Sequence, residues 1–184
     1  MGKTASWPKT LDIIFIVLFG ILTILAWTLP ENRDTIKYFA NVIINGGLAL
    51  GVAITWMAGH PFIRSYIEDN VGVEGSTYPV VKHMVTRLTS MWLLAFTVMA
   101  LVSLPPAIMY VQGNPSTTAF NVCNIISYII LGCCLTIAFW LYPAYFEKHQ
   151  EDIAKNYEEE IAEWEKEHPN HEFSQEDYKY EVNA

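Results

Sequence analysis

Asn41, Asn45, Asn121 and Asn124 are the polar side chains best placed to do something specific, because each lies inside an otherwise apolar run. Spacings of four and three put both amides of each pair on one face of a helix. An amide surrounded by hydrocarbon must find a partner, and an interhelical hydrogen bond there contributes roughly 0.6–2 kcal/mol. Two roles follow. The amides either clamp two helices together, or they line an outward-opening polar pocket to which Ser127 and the backbone carbonyls freed near Pro105 add further groups.

A second constellation gathers around the segment that begins at His60. His60, Arg64, Glu68, Asp69 and His83 are expected on one rim, where a metal site, an acid–base pair or a lipid-phosphate contact are the chemistries to weigh. Their spacing fits no metal-binding motif. Together with Tyr66, Lys82 and Arg87, they have ready places at a membrane surface, where long basic side chains reach out of the apolar layer to water.

Other chemistries are disfavoured. A membrane cytochrome needs axial histidines within its spans, but His60, His83 and His149 stand only at the edges of the apolar runs. Proton relays and cation-coupled pumps place acidic or basic groups inside the spans, and no Asp, Glu, Lys, Arg or His lies within the interior of these runs. Cys123, Cys133 and Cys134 all fall in the last run, which suits packing better than a disulfide framework or a zinc site. No cofactor, metal or catalytic residue is therefore expected, and the balance leans against an enzyme.

The elements that must position these groups are four long apolar stretches, 11–29, 36–59, 88–111 and 119–146, in a chain of 184 residues. No Asp, Glu, Lys, Arg or His occurs in 13–30, 38–59 or 88–146. A helix of about 20 residues crosses a bilayer's hydrocarbon core. The expected fold is thus all-α: an antiparallel bundle of four transmembrane helices occupying residues 1–146. A soluble bundle would carry charged outer faces at helical period, and these are missing. A cleaved leader over 3–27 is the other reading of the first run, which is long for one and lacks a small-x-small cleavage site.

Basic residues set the orientation. Lys3, Lys9, Arg64, Lys82, Arg87, Lys148 and Lys155 fall on one side and only Arg33 and Lys37 on the other, so both termini are expected in the cytoplasm. Within the spans, Gly47 and Gly51 form a GxxxG pair, with Gly20 and Gly132 at comparable depth, as in a tight waist. Thr10 can cap the first helix, and Asp12 suits its first turn.

Pro61 ends the second span. Phe62, Ile63, Tyr66 and Ile67 then mark one face of a short amphipathic elbow suited to the headgroup layer. Pro105 and Pro106 should break the third span, and Pro143 should free the carbonyl of Phe139 in the fourth. Beyond residue 146 the composition turns acidic, with a balance of −9 in 147–184 against −8 for the whole chain. Such charge disfavours nucleic acid and anionic lipid. An acidic cytoplasmic helix over 147–168, continuous with the fourth span, carries the stripe Ile153, Tyr157, Ile161 and Trp164, with a disordered tail over 169–184. That stripe is offered to another copy, to a basic partner, or to water.

Pro61, Phe62 and Tyr66, followed by Thr89, Trp92 and Phe96, resemble a loose group of uncharacterised bacterial four-helix membrane proteins. The group is marked by a Pro-Phe-Thr-x-x-Tyr-Ala elbow and a Thr-x-x-Trp-x-x-x-Phe span. Ile63 and Ile67 depart from that pattern, and the likeness covers about residues 50–110. It implies the same topology and a prokaryotic inner membrane, and it carries no reaction with it. The function expected is a non-enzymatic membrane subunit that works by assembly, with itself or within a larger complex. The alternative is a small transporter or channel that passes an uncharged or weakly polar solute through the Asn-lined half.

Overall fold

A computed structural model describes residues 9–169; the side chains of Thr10, Asn70, Val71 and Gln150 lie outside that description, as do Lys3, Trp7 and all but the first residue of the expected tail. The described residues are all-helical. Four helical stretches are long and apolar enough to cross a membrane: Leu11–Thr28, Pro30–Met57, Pro79–Val111 and Thr117–His149.

Helix α1 (Thr10–Thr28) starts one residue earlier than a Thr10 cap would have it. Lys9 occupies the capping position without a side-chain cap bond, and Thr10 already lies within the first turn. A short 3-10 turn, Pro30–Asn32, leads into α2 (Arg33–Met57). Glycine at 47 and 51 lets α1 come close. A Cβ built on Gly47 would lie 2.9 Å from Leu18 Cδ1, and one on Gly51 would lie 2.6 Å from Ile14 Cδ1. The GxxxG face is thereby occupied within the chain. Gly20 and Gly132 have nothing within 4 Å of such a Cβ, so the waist involves one helix pair rather than three helices.

The elbow is α3 (Phe62–Gly75), bent at Gly72, whose φ of +80° is strained for a residue with a side chain. Its apolar face turns inward. Phe62 and Ile67 are each only 5% exposed and pack into the two core clusters. The cause is α4 (Pro79–Val102), which starts on a proline at its first position and presents Val80, Val81, Met84 and Val85 to the elbow. Pro105 and Pro106 then break the helix at Ser103, after which α5 (Leu104–Val111) continues to the tight turn at Gly113. Helix α6 (Thr117–Thr136) opens on Ser116, whose hydroxyl accepts from Ala119 N at 3.2 Å.

Chain order and short turns alternate the direction of the four long elements. Helix α2 packs on α1 and α4, and α4 on α6. One end of the bundle carries α3. The other, the turn end, is closed by Tyr38 stacked on Tyr110 at 4.9 Å and set edge-on to Phe120 at 5.3 Å. Midway lies a core of Leu48, Val52, Phe62, Phe96 and Met99.

After α6 the helix widens into a π-helical segment, Ile137–Leu141, before α7 (Tyr142–Asn156). Pro143 accounts for it: proline has no N–H for the carbonyl of Phe139, and its ring crowds that carbonyl. The expected continuous helix is interrupted at Tyr157 (φ −119°), and α8 (Glu158–Glu167) then lies against the start of α4. The stripe is covered by the chain itself. Ile153 and Ile161 pack on the Val81–Met84 cluster, and Trp164, 7% exposed, meets the Tyr78 ring at 5.2 Å.

Candidate functional site: two neighbouring cavities

Asn41 of α2 and Asn124 of α6 meet directly, with Asn41 Nδ2 donating to Asn124 Oδ1 at 2.5 Å. The pair borders a cavity of about 270 Å³ that Asn45 and Ser127 also line, with Leu48, Phe96, Met99 and Tyr128 as apolar wall. Ser127 Oγ donates to the carbonyl of Cys123 at 3.0 Å, as a buried helical serine does. No hydrogen bond to the Asn45 side chain occurs among the described residues. Asn121, on the same helix as Asn124, is exposed and does not line this space. The carbonyl-bearing residues Leu101 and Val102 are likewise absent from its wall.

The rim constellation separates into distinct partnerships. Arg64 Nε donates to Glu68 Oε1 at 2.9 Å and to Ser76 Oγ at 3.1 Å, an i,i+4 pair tied to the start of the next helix. Asp69 instead forms an ion pair with Lys9. His83 Nδ1 hydrogen-bonds the Tyr157 hydroxyl at 2.8 Å, joining α4 to the returning tail, and Trp164 Nε1 donates to Thr77 Oγ1 at 3.0 Å. His60, Lys82 and Arg87 are exposed and belong to none of these pairs. No three of the described His, Cys, Asp and Glu residues converge as metal ligands.

A larger cavity, about 530 Å³, lies at the elbow end. Its polar mouth combines Lys9, Asp69 and Tyr66, and its body is apolar: Met84, Leu88 and Trp92 from α4, with Leu135, Ala138 and Phe139 from the far side. Lys9 Nζ sits 4.1 Å from the centre of the Tyr66 ring, a cation–π contact. The Tyr66 hydroxyl donates to Asp12 Oδ1 at 3.3 Å. Burial, followed by the negative charge of Asp12 and that hydrogen bond, pushes the Tyr66 phenol up to about 12. It therefore remains a donor throughout the neutral range.

Leu11 and Trp92 line both cavities. The two spaces are thus neighbours, the smaller holding the amides and the larger the charged mouth. The π segment widens the wall of the second chamber through Ala138 and Phe139; such bulges recur at functional positions. Sequence reasoning missed the mouth. Lys9 and Asp69 are 60 positions apart, and Asp12 and Tyr66 are 54 apart, so no local spacing links them. The one usable signal was a lone acid at a helix start facing an elbow tyrosine. Thr89 was also passed over; it is fully buried, and its hydroxyl has no hydrogen-bond partner among the described residues. No family model matches the chain, and neither a curated protein nor a solved structure is detectably similar to it.

Proposed function

We propose that the chain is a multi-pass membrane protein that binds and passes a small, uncharged or weakly polar solute, using the chamber lined by Asn41, Asn45, Asn124 and Ser127. The observation that carries this reading is Asn45: an amide in an apolar span, bordering a 270 Å³ space, without a hydrogen-bond partner among the described residues. An amide left unpaired away from water costs on the order of 1–3 kcal/mol, and a hydrogen-bonding solute or water recovers that energy. The Asn41–Asn124 bond supports the chamber by holding α2 to α6 beside it. Basic residues support a cytoplasmic elbow end, with Lys9, Arg64, Lys82 and Arg87 there against Arg33 and Lys37 at the turn end. The resemblance of the elbow and third span to bacterial four-helix membrane proteins supports the cytoplasmic membrane of a prokaryote as the bilayer.

The competing role, an assembly subunit, drew its support from the apolar stripe on the tail. That stripe is packed against the chain's own α4 and elbow, which leaves it little area to offer a partner.

The test has two parts. The chain should stay with the membrane fraction through an alkaline carbonate wash, and proteoliposomes of the purified protein should take up glycerol or urea faster than protein-free vesicles in stopped-flow light scattering. Asn45→Leu should bring that rate to the protein-free level while leaving the elution profile in detergent unchanged. Uptake by wild-type vesicles equal to that of empty ones sinks the solute reading.

A further inference from the structure

We infer that Trp92 is the specificity-determining residue of the solute path: its indole divides the amide chamber from the larger elbow chamber, bars solutes bulkier than a short polyol, and offers its N–H to the solute that passes. The inference deepens the solute reading and rests on it.

Leu11 of α1 and Trp92 of α4 are the side chains that line both spaces. A side chain that faces two spaces at once separates them by no more than its own thickness. The amide chamber, about 270 Å³, holds Asn41, Asn45, Asn124 and Ser127 but no charged group. The elbow chamber, about 530 Å³, carries Lys9 and Asp69 at its mouth, the end where charged side chains reach water. A solute held by the amides therefore gains the elbow mouth by passing Trp92 and Leu11.

The indole is fixed at this boundary by its packing. It lies 5.5 Å, centre to centre, from the Phe96 ring one turn further along α4. It also packs on a core cluster that gives Phe96 to the amide chamber and Phe62 to the elbow chamber. Rigid bulk in that position sets a size limit.

The indole also carries chemistry. A tryptophan N–H away from water usually finds a protein acceptor, yet that of half-buried Trp92 donates to no group among the described residues. Asn45 supplies a donor and an acceptor, and Trp92 a donor alone. A small molecule with hydroxyl or carbonyl oxygens can use both in turn. A hydrocarbon uses neither, and a cation finds no acceptor at Trp92.

Stopped-flow light scattering on proteoliposomes of the purified full chain, with glycerol and its longer homologue xylitol, tests the assignment. Wild-type vesicles should take up glycerol faster than protein-free ones, and xylitol at the protein-free rate. Trp92→Ala, which joins the two spaces, should lift xylitol uptake severalfold above that rate. Leu11→Ala should open the same partition from α1, and it decides the matter where loss of the indole upsets folding. Trp92→Phe keeps most of the bulk and removes the N–H, so it should still exclude xylitol while glycerol uptake falls severalfold. Three results overturn the assignment: xylitol entering wild-type vesicles, xylitol still excluded by the alanine variants, or an unchanged glycerol rate in Trp92→Phe. Any of these beside wild-type glycerol uptake fails here alone, whereas glycerol entering wild-type vesicles at the protein-free rate fails at the solute reading itself.

Discussion

Tyr66 shows how much a single residue can report. Its phenol is pushed up to about 12 from an ordinary 10.0 because it is half-buried and faces Asp12. The folded protein therefore holds this proton to higher pH than the unfolded chain does. The associated stability is fully present below pH 10 and is lost as pH rises from 10 towards 12. The thermal midpoint of the wild-type protein in detergent should thus fall over that window relative to Tyr66→Phe, and the two curves should run parallel below pH 9. Parallel curves through pH 12 would mean that the phenol is neither buried nor set against Asp12 in the folded protein. The sequence made Asp12 legible as a first-turn acid, a reading the helix geometry keeps, but it could not supply the hydroxyl that occupies it. The same limit separates the amides. Spacing put Asn41 with Asn45 and Asn121 with Asn124 on shared helix faces, and Asn41 does meet Asn124; Asn121 is exposed instead, because the rotation of α6 is set by its packing on α4.

At the scale of elements, the spans were legible because a charge-free run of about 20 residues has few folded uses outside a membrane or a large core. The proline breaks were legible too, since a missing N–H acts locally whatever surrounds it. What each helix packs against was not. Gly47 and Gly51 could have served another copy of the chain, and only the placement of Ile14 and Leu18 assigns them to α1. This yields a contrast between glycines. Gly51→Leu must displace Ile14, whose Cδ1 lies 2.6 Å from the built Cβ, and overpacking of this kind typically costs about 1–3 kcal/mol. Gly132→Leu enters open space on α6 and should leave stability unchanged. Thermal unfolding of both variants in the same detergent checks the assignment, and equal midpoints would count against the α1–α2 contact.

For the whole molecule, the decisive feature is that the acidic tail returns to the bundle. Helical periodicity exposed the Ile153–Trp164 stripe but not its target, because the Val81–Met84 cluster and the Tyr78 ring that receive it are remote in sequence. Polar contacts help hold α7 and α8 in place, among them Tyr157 with His83, 74 positions away, and Trp164 with Thr77, 87 positions away. Helix α7 follows directly on the π segment, and Tyr142 and Pro143 line the elbow chamber. Fastening α8 to the start of α4 thereby also fixes one wall of that chamber. Removing the buried indole should unfasten it: Trp164→Ala deletes the ring packed on Tyr78 and the Thr77 bond, a loss of about 3 kcal/mol on the scale of buried tryptophan truncations. Limited trypsin digestion should then cut after Lys155 and Lys166 severalfold faster than in the wild type. Glu163→Ala, on the exposed face of the same helix, should digest at the wild-type rate. Equal cleavage of Trp164→Ala and wild type would mean that α8 stands free of the elbow, and its stripe would again be open to a partner.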